Sequence, residues 1–414
     1  MKQKKLVMYF LGVAISILLI VPMFNTYFTY TYGTLNIKTL NKKQLFSTDN
    51  MEAVRNYIFY KIPKISLNKP QVIVGKDDFL FLGNNYAKII DKTEGKFPYT
   101  ENDIDKWTDK LKNLQQWYEQ RDIKFVMVIA SNKHTVYNNK LPNNVPYQEN
   151  KTITDEIVKY AKSKNINILN LKDILRANKV DNQLYFTTDT HWNNLGASIG
   201  FKHTIDFINS IYNIDYKMPE YDLTLTKRAS GDLAGFLKIR NILSKNYETN
   251  YSFVFNEESN VCHGNINKAH NLEKCTNKKN PYMGINRQDQ YMINSSSLNN
   301  DKLLLLCDSF GSANSKHYNE TFNTIWKFHY GHINGNALSD FVLKNKPDIV
   351  IYQVVERGLY NWSIVKKLSD ITVFKESSKN IIGNKIFDIN NKEDKYYKNN
   401  GLIITIMNPI IRTT

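Results

Sequence analysis

The chain has 414 residues, three cysteines and a formal charge of +16, with lysines spread along its length among many asparagines and isoleucines. That length allows one large core or two to three domains. The cysteines form neither a Cys-x-x-Cys pair nor a Cys/His cluster at metal-ligand spacing, which argues against a zinc site. The basic balance suits a polyanionic partner such as an anionic lipid or an acidic glycan, but the even spread of lysines reads first as compositional bias.

Lys2-Gln3-Lys4-Lys5 precedes residues 6–24, which carry no charge. These uncharged, mostly apolar residues are enough to cross a bilayer at about 1.5 Å rise per residue. Positive charge before the span, and none soon after it, places the amino terminus inside. A cleaved signal peptide is the alternative, but the run is long for one and Asn25-Thr26-Tyr27-Phe28 lacks a small-x-small cleavage site. Residues 1–30 are therefore expected to be a short cytoplasmic stub and a single-pass anchor in the cytoplasmic (inner) membrane. The rest would face the periplasm or the extracellular side, which argues against nucleic acid as a partner. Export would also allow a disulfide between Cys262 and Cys275. Cys307 ends an apolar run and reads as a buried small hydrophobe.

Residues 31–69 read as a linker and helical spacer. Val72–Val74 and Phe79–Leu82 flank a Gly75-Lys76-Asp77-Asp78 turn and predict a hairpin. Ile104, Trp107, Leu111, Leu114 and Trp117 fall at helical spacing and predict a helix over 103–120. A continuous apolar strand follows at 125–130. The pattern then runs helix 152–163, strand 166–169, strand 183–187 and helix 194–212. Residues 215–300 are polar and weakly periodic and read as an insertion, with a lid over the site as its candidate role. Alternation resumes with strands at 303–306, 324–328 and 348–355 and helices at 336–345 and 359–368. A last strand at 401–406 lies in a C-terminal segment, 391–414. Strands alternating with helices predict an α/β fold with a parallel sheet covered on both faces, over residues 70–390.

Two stretches carry chemistry. Thr188-Asp189-Thr190-His191-Trp192 sets a carboxylate two positions from an imidazole, an arrangement that can fix the tautomer of a general base. Leu303–Leu306 runs into Cys307-Asp308-Ser309-Phe310-Gly311, a candidate nucleophile at the carboxyl end of a strand, where α/β sheets gather their functional residues. Amide N–H groups at the start of a following helix would serve as oxyanion donors. Each signal alone is equally compatible with a helix cap or a satisfied core group. Together they suggest a Ser-His-Asp hydrolase or acyltransferase. Lys133 and Tyr137, after the strand at 125–130, and Arg357, after that at 348–355, are candidate substrate-binding residues of the same cleft. His317, His329 and His332 stand at no metal-ligand spacing, so neither a metal nor a bound cofactor is expected.

Several blocks resemble a family. Asp189-Thr190-His191-Trp192-Asn193, with Gly196-Ala197 after it, is similar to the Asp-x-His-Trp signature of the alginate O-acetyltransferase AlgX/AlgJ family and its DHHW relatives. Val74–Phe81 resembles that family's early Gly-Lys-Asp block, with Asp78 in place of a glycine. Ser131–Tyr137 with Leu141-Pro142, Ser230-Gly231-Asp232-Leu233, and Cys307-Asp308-Ser309-Phe310 resemble later ones, with Cys307 in place of a glycine. The resemblance covers about residues 70–360. It implies an SGNH-hydrolase-like (flavodoxin-like) fold, with Ser309 as nucleophile, His191 as base and Asp189 as its partner.

The resemblance further implies a membrane-anchored O-acetyltransferase acting on an exported polysaccharide (an exopolysaccharide, a capsule or a cell-wall glycan). Its acetyl groups would come from a multi-spanning membrane-bound O-acyltransferase partner. A glycan O-acetylesterase with the same triad and a non-catalytic glycan-binding subunit of an export complex remain alternatives at this point.

Overall fold

The computed structural model describes residues 2–33, 42–243, 245–284, 288–333, 335–360, 379–382 and 385–388. The apolar run forms one continuous helix, α1 (Lys2–Tyr32). Among the described residues it is the one helix long and apolar enough to cross a membrane. Its side chains from Leu6 to Leu11 and from Leu18 to Ile20 are exposed, whereas Asn25, Phe28 and Thr29 are buried. The cause is a polar clasp. Asn25 Nδ2 donates to the carbonyls of Leu45 and Ser47, and Asn25 Oδ1 accepts from Asn50 Nδ2 at 3.0 Å. Leu45 ends α2 (Lys42–Leu45), Asn50 lies in α3 (Asp49–Lys61), and Ser47 stands in the link between them. Helix α3 is pinned to the body by Asn56 Nδ2, which donates to Leu237 O at 2.8 Å.

The predicted hairpin is present as β1 (Val72–Val74) and β2 (Leu80–Leu82), followed by α4 (Ile89–Thr93) and α5 (Glu101–Glu119). Thr100 and Asp103 cap α5 reciprocally, which explains its sharp start. The alternation then runs β3 (Lys124–Ala130), α6 (Lys133–Val136), α7 (Ile153–Ser163), β4 (Ile168–Asn170), α8 (Lys172–Asn178) and α9 (Asn194–Tyr212). After a middle segment come β5 (Tyr221–Arg228), α10 (Asp232–Phe236), β6 (Glu248–Phe255), β7 (Asn260–Ile266), β8 (Thr276–Lys279) and β9 (Asp289–Ile293). The last third holds β10 (Asn299–Cys307), α11 (Ser309–Ser312), α12 (Ser315–Thr321), β11 (Phe322–His329), α13 (Gly335–Asn345) and β12 (Ile349–Val355). A small antiparallel pair, β13 (Lys379–Ile382) and β14 (Lys385–Asp388), lies further on. The helix predicted at 359–368 falls, past Tyr360, outside the described residues, as does the strand at 401–406.

The central sheet has eight strands in the order β4-β3-β12-β10-β11-β9-β7-β8. From β4 to β11 neighbours pair in parallel, as expected; from β11 onward they are antiparallel. The fold is thus the α/β fold anticipated, with a mixed sheet. Its central strands are apolar on both faces because helices cover both. Phe125, Met127 and Ile129 of β3 join the core under α5, α7 and α13. Val126, Val128 and Ala130 join the opposite core with residues of α9 and α12.

Two expectations need correction. Residues 215–300 are not a separate insertion, because β7 to β9 extend the main sheet. These strands carry polar residues on both faces, such as Asn260 and His263 of β7 and Asp289 and Gln290 of β9, so they show no clean strand period. The strand predicted at 183–187 is a loop with a single bridge, Tyr185 to Trp192. Its backbone groups are taken partly by other backbone groups outside a ladder and partly by side chains, as described below.

Candidate active site

The carboxyl ends of β3, β10 and β12 converge, and the key residues stand there. The loop 184–193 is folded back on itself. Asn193 N donates to Leu184 O at 2.8 Å and Phe186 N to His191 O at 3.3 Å. Trp192 is buried against Phe310, ring centroids 5.1 Å apart, and anchors the loop in the core. Asn193 closes the turn as the cap of α9, accepting from Gly196 N at 3.0 Å.

Ser309 follows β10 directly. Asp308 holds it in place: Oδ1 accepts from Phe310 N at 2.9 Å, and Oδ2 accepts from Val355 N at 2.7 Å. The Phe310 amide, one of the expected oxyanion donors, is therefore already engaged. Gly311 is needed behind the serine, since a Cβ there would lie 2.4 Å from Cys307 Cβ. Half-buried Ser309 brings Oγ to 2.8 Å from His191 Nε2, and His191 Nδ1 stands 2.7 Å from Asp189 Oδ1. The structure thus unites two stretches 118 residues apart in sequence.

Asp189 is buried and carries a second ion pair that the sequence did not disclose, Arg228 Nη2 to Oδ2 at 2.7 Å. Burial alone would push this carboxyl up. The hydrogen bond and charge of His191, with the charge of Arg228, outweigh burial and hold it well below the usual carboxylate range. Arg228→Gln is expected to move the acid limb of the pH–rate profile to higher pH. Without the guanidinium, one of the charges that hold the Asp189 carboxyl down is gone, so Asp189 takes a proton, and is lost as the partner of His191, at a higher pH. A pH profile of acyl-enzyme formation measures this.

The Ser230–Leu233 block wraps the same loop. Gly231 has no room for a side chain, because a Cβ would meet Asp189 Cβ at 2.2 Å. Asp232 accepts from Thr190 N at 2.8 Å and Thr190 Oγ1 at 2.7 Å. Glu248 is fully buried and accepts from Thr187 N at 2.8 Å, from Thr188 N at 2.7 Å and from the Thr188 hydroxyl. Arg228 and Glu248 are cross-strand partners at the base of the β5–β6 hairpin. Their stretch carries no motif, so nothing local in the sequence could have singled them out.

Two expected substrate contacts are corrected. Lys133 is buried, and its Nζ donates to the carbonyls of Phe186, Thr187 and Asp189 at 2.9, 3.0 and 2.7 Å. Tyr137 is buried against Phe79, with its hydroxyl accepting from Leu184 N at 2.9 Å. Both support the 184–193 loop from behind rather than line the cleft, because the loop joins no strand ladder and several of its backbone groups are met by side chains. Arg357 does reach the site: its guanidinium lies 5.5 Å from the centroid of the Phe310 ring, which also stands 5.2 Å from the His191 ring. Of the three further histidines, His317 is buried in an aromatic box of Phe201, Tyr221, Phe253 and Phe255.

Asp189, His191 and Asp232 offer donor atoms within 4.8 Å of one another. Their chemistry fits a metal poorly. Asp189 is saturated by His191 and Arg228, both oxygens of Asp232 serve Thr190, and a guanidinium 2.7 Å from the carboxylate opposes a cation.

Fold and site together define an SGNH-hydrolase-like domain with a Ser-His-Asp constellation. Residues 72–261 match the family described as SGNH hydrolase-like domain, acetyltransferase AlgX. Over that segment the chain is similar to the AlgX/AlgJ-like, SGNH-hydrolase-like acetyltransferases. The match holds Asp189 and His191 and stops before Ser309, whose place is given by geometry. A probable alginate O-acetylase, AlgJ of Pseudomonas aeruginosa, is 22% identical over 173 residues, 41% of this chain and 42% of the relative. The chain therefore matches well under half of that relative's length. PatB1 of Bacillus cereus superposes with a TM-score of 0.53 at 15% identity, covering 72% of this chain and 99% of that one. A DHHW family protein from Eubacterium siraeum gives 0.51 at 13% identity, covering 73% and 99%. At these identities the two structures establish the fold alone.

Proposed function

We propose that this protein is a membrane-anchored O-acetyltransferase that acetylates hydroxyls of an exported polysaccharide through an acyl-enzyme on Ser309. The observation that carries the reading is the continuous hydrogen-bonded line Asp189–His191–Ser309. In the first half-reaction His191 Nε2 takes the Ser309 hydroxyl proton as Oγ attacks the acetyl carbonyl carbon. The donor's leaving group then departs with that proton. In the second, a glycan hydroxyl gives its proton to His191, attacks the acyl carbon, and releases Ser309, which recovers the proton. Asp189 holds Nδ1 and stabilises the imidazolium formed in each half. Arg357 is the candidate cation for the substrate, and no bound cofactor is needed. Helix α1 would anchor the chain, with the catalytic domain on the outer side. The Cys262–Cys275 disulfide suits an oxidising compartment. The acetyl donor would be a multi-spanning membrane acyltransferase.

The test is mass spectrometry of the full chain after mixing with p-nitrophenyl acetate and oligosaccharide acceptors. An acetyl adduct on Ser309, absent from Ser309→Ala, together with acetylated sugar is the expected result. An adduct that yields only free acetate with every acceptor would make the protein an esterase. No adduct on a folded chain would leave a non-catalytic subunit.

A further inference from the structure

One cleft outside the triad is built largely from polar side chains and opens at the same end of the sheet. It has a volume of about 730 Å³, and its walls include Asn267, Lys268, His270, Gln288, Asp289 and His332. Ile266 at the end of β7 pairs with Asp289 at the start of β9, and His329 at the end of β11 pairs with Cys307 at the end of β10. The cleft therefore lies along the rim that carries Ser309. From β10 to β9 is two inter-strand steps, about 10 Å.

A chain of contacts joins the two places. The Tyr330 hydroxyl donates to Asp308 Oδ2 at 3.4 Å, beside the nucleophile. The Tyr330 ring stacks on His329 at 4.7 Å, and His329 stands 5.0 Å from the ring of His332.

The cleft is preorganised. Asp289 is nearly buried and accepts from His329 N at 2.8 Å, while His332 Nδ1 lies 3.0 and 3.1 Å from its two oxygens. That contact fixes the His332 ring and leaves Nε2 for a ligand. On the opposite wall, Asn267 Oδ1 accepts from Ala269 N and Asn271 N, shaping the turn that presents Lys268 and His270. The Cys262–Cys275 disulfide closes the base of this turn. Planar amides, imidazoles and an ammonium suit the vicinal hydroxyls and carboxylates of sugars. Ile266 and Ala269 add apolar surface to the lining, against which the carbon face of a sugar ring can lie.

We infer that this cleft is an acceptor subsite, which holds a sugar of the polysaccharide chain a short way along from the hydroxyl presented to Ser309. The inference rests on the transferase reading above. It supplies what an isolated triad lacks, a hold on the polymer that lets the acceptor compete with water.

The test is calorimetric binding to the full-length chain in detergent, with Ser309→Ala to prevent turnover. The probes are a hexamer of mannuronate, cellohexaose and a hexamer of N-acetylglucosamine. At least one is expected to bind, and the Lys268→Ala/His332→Ala pair, both at exposed positions, is expected to weaken it tenfold or more. A larger loss for mannuronate than for the neutral hexamers would assign an anionic acceptor, and equal losses a neutral one. Unchanged affinity in the pair, or no binding of any probe, overturns the subsite. The acyl-enzyme burst of the wild-type chain with p-nitrophenyl acetate tests the parent reading separately. A burst without probe binding removes the subsite alone, and binding without a burst removes the transferase alone.

Discussion

Asp189→Asn is expected to lower the rate of acyl-enzyme formation by about three to four orders of magnitude, the scale found when a triad carboxylate becomes an amide. The cause lies at one atom. Asp189 Oδ1 faces His191 Nδ1 at 2.7 Å and also accepts from His191 N at 3.0 Å. An asparagine in that position either turns its NH₂ toward Nδ1, forcing the proton onto Nε2, or keeps its oxygen there without the charge that stabilises the imidazolium. Nε2 must accept the Ser309 proton, so the first outcome removes the base and the second weakens it. Arg228 would also lose its ion pair with Oδ2. Single-turnover kinetics with p-nitrophenyl acetate measure the loss. A loss of less than tenfold would mean that Asp189 is not the partner that makes His191 a base.

Lys133→Met is expected to destabilise the fold by about 3–5 kcal/mol, as removal of one member of a buried charge arrangement does. Burial pulls the Lys133 ammonium down to about 8, against the charges of Glu248, Asp189 and Asp232 that favour it. At neutral pH it remains mostly charged, and its three protons meet three carbonyls of the catalytic loop. Glu248 holds the same loop by the opposite polarity, taking its N–H groups. Methionine fills the volume but leaves the Phe186 and Asp189 carbonyls without a donor, the Thr187 carbonyl with Leu80 N alone, and Glu248 without its nearby counter-charge. Denaturant unfolding gives the stability change, and the acyl-enzyme rate reports whether the loop still presents His191. Stability within about 1 kcal/mol of wild type would show that the clamp is dispensable.

Much of the scaffold was legible because its signals are local. Residues 6–24 announce a span by lacking charge. The apolar run at 125–130 reads as a strand buried on both faces, and the spacing from Ile104 to Trp117 sets a helical face. The loop at 183–187 was misread as a strand because Leu184, Tyr185 and Phe186 are as apolar as a strand, and only its backbone partners show otherwise. Cys262 and Cys275 were left open from sequence. Their pairing follows from the turn between β7 and β8, which brings the two Cα atoms to 5.4 Å.

The sequence by itself determined the long apolar helix at residues 2–32, the alternation that builds an α/β sheet, and the two short stretches that hold an acid, an imidazole and a hydroxyl. Those features depend on residue type and on neighbours a few positions away. The tertiary structure decided everything that depends on strand order. It set Ser309 against His191, made Lys133 a clamp rather than a substrate ligand, and delivered Arg228 and Glu248 from a hairpin without a motif. The physical reason is that a polar side chain acquires its role from the groups that surround it after burial. At this site those groups come from β3, β5, β6, β10 and β12, which only the folded sheet and its packed hairpin bring together.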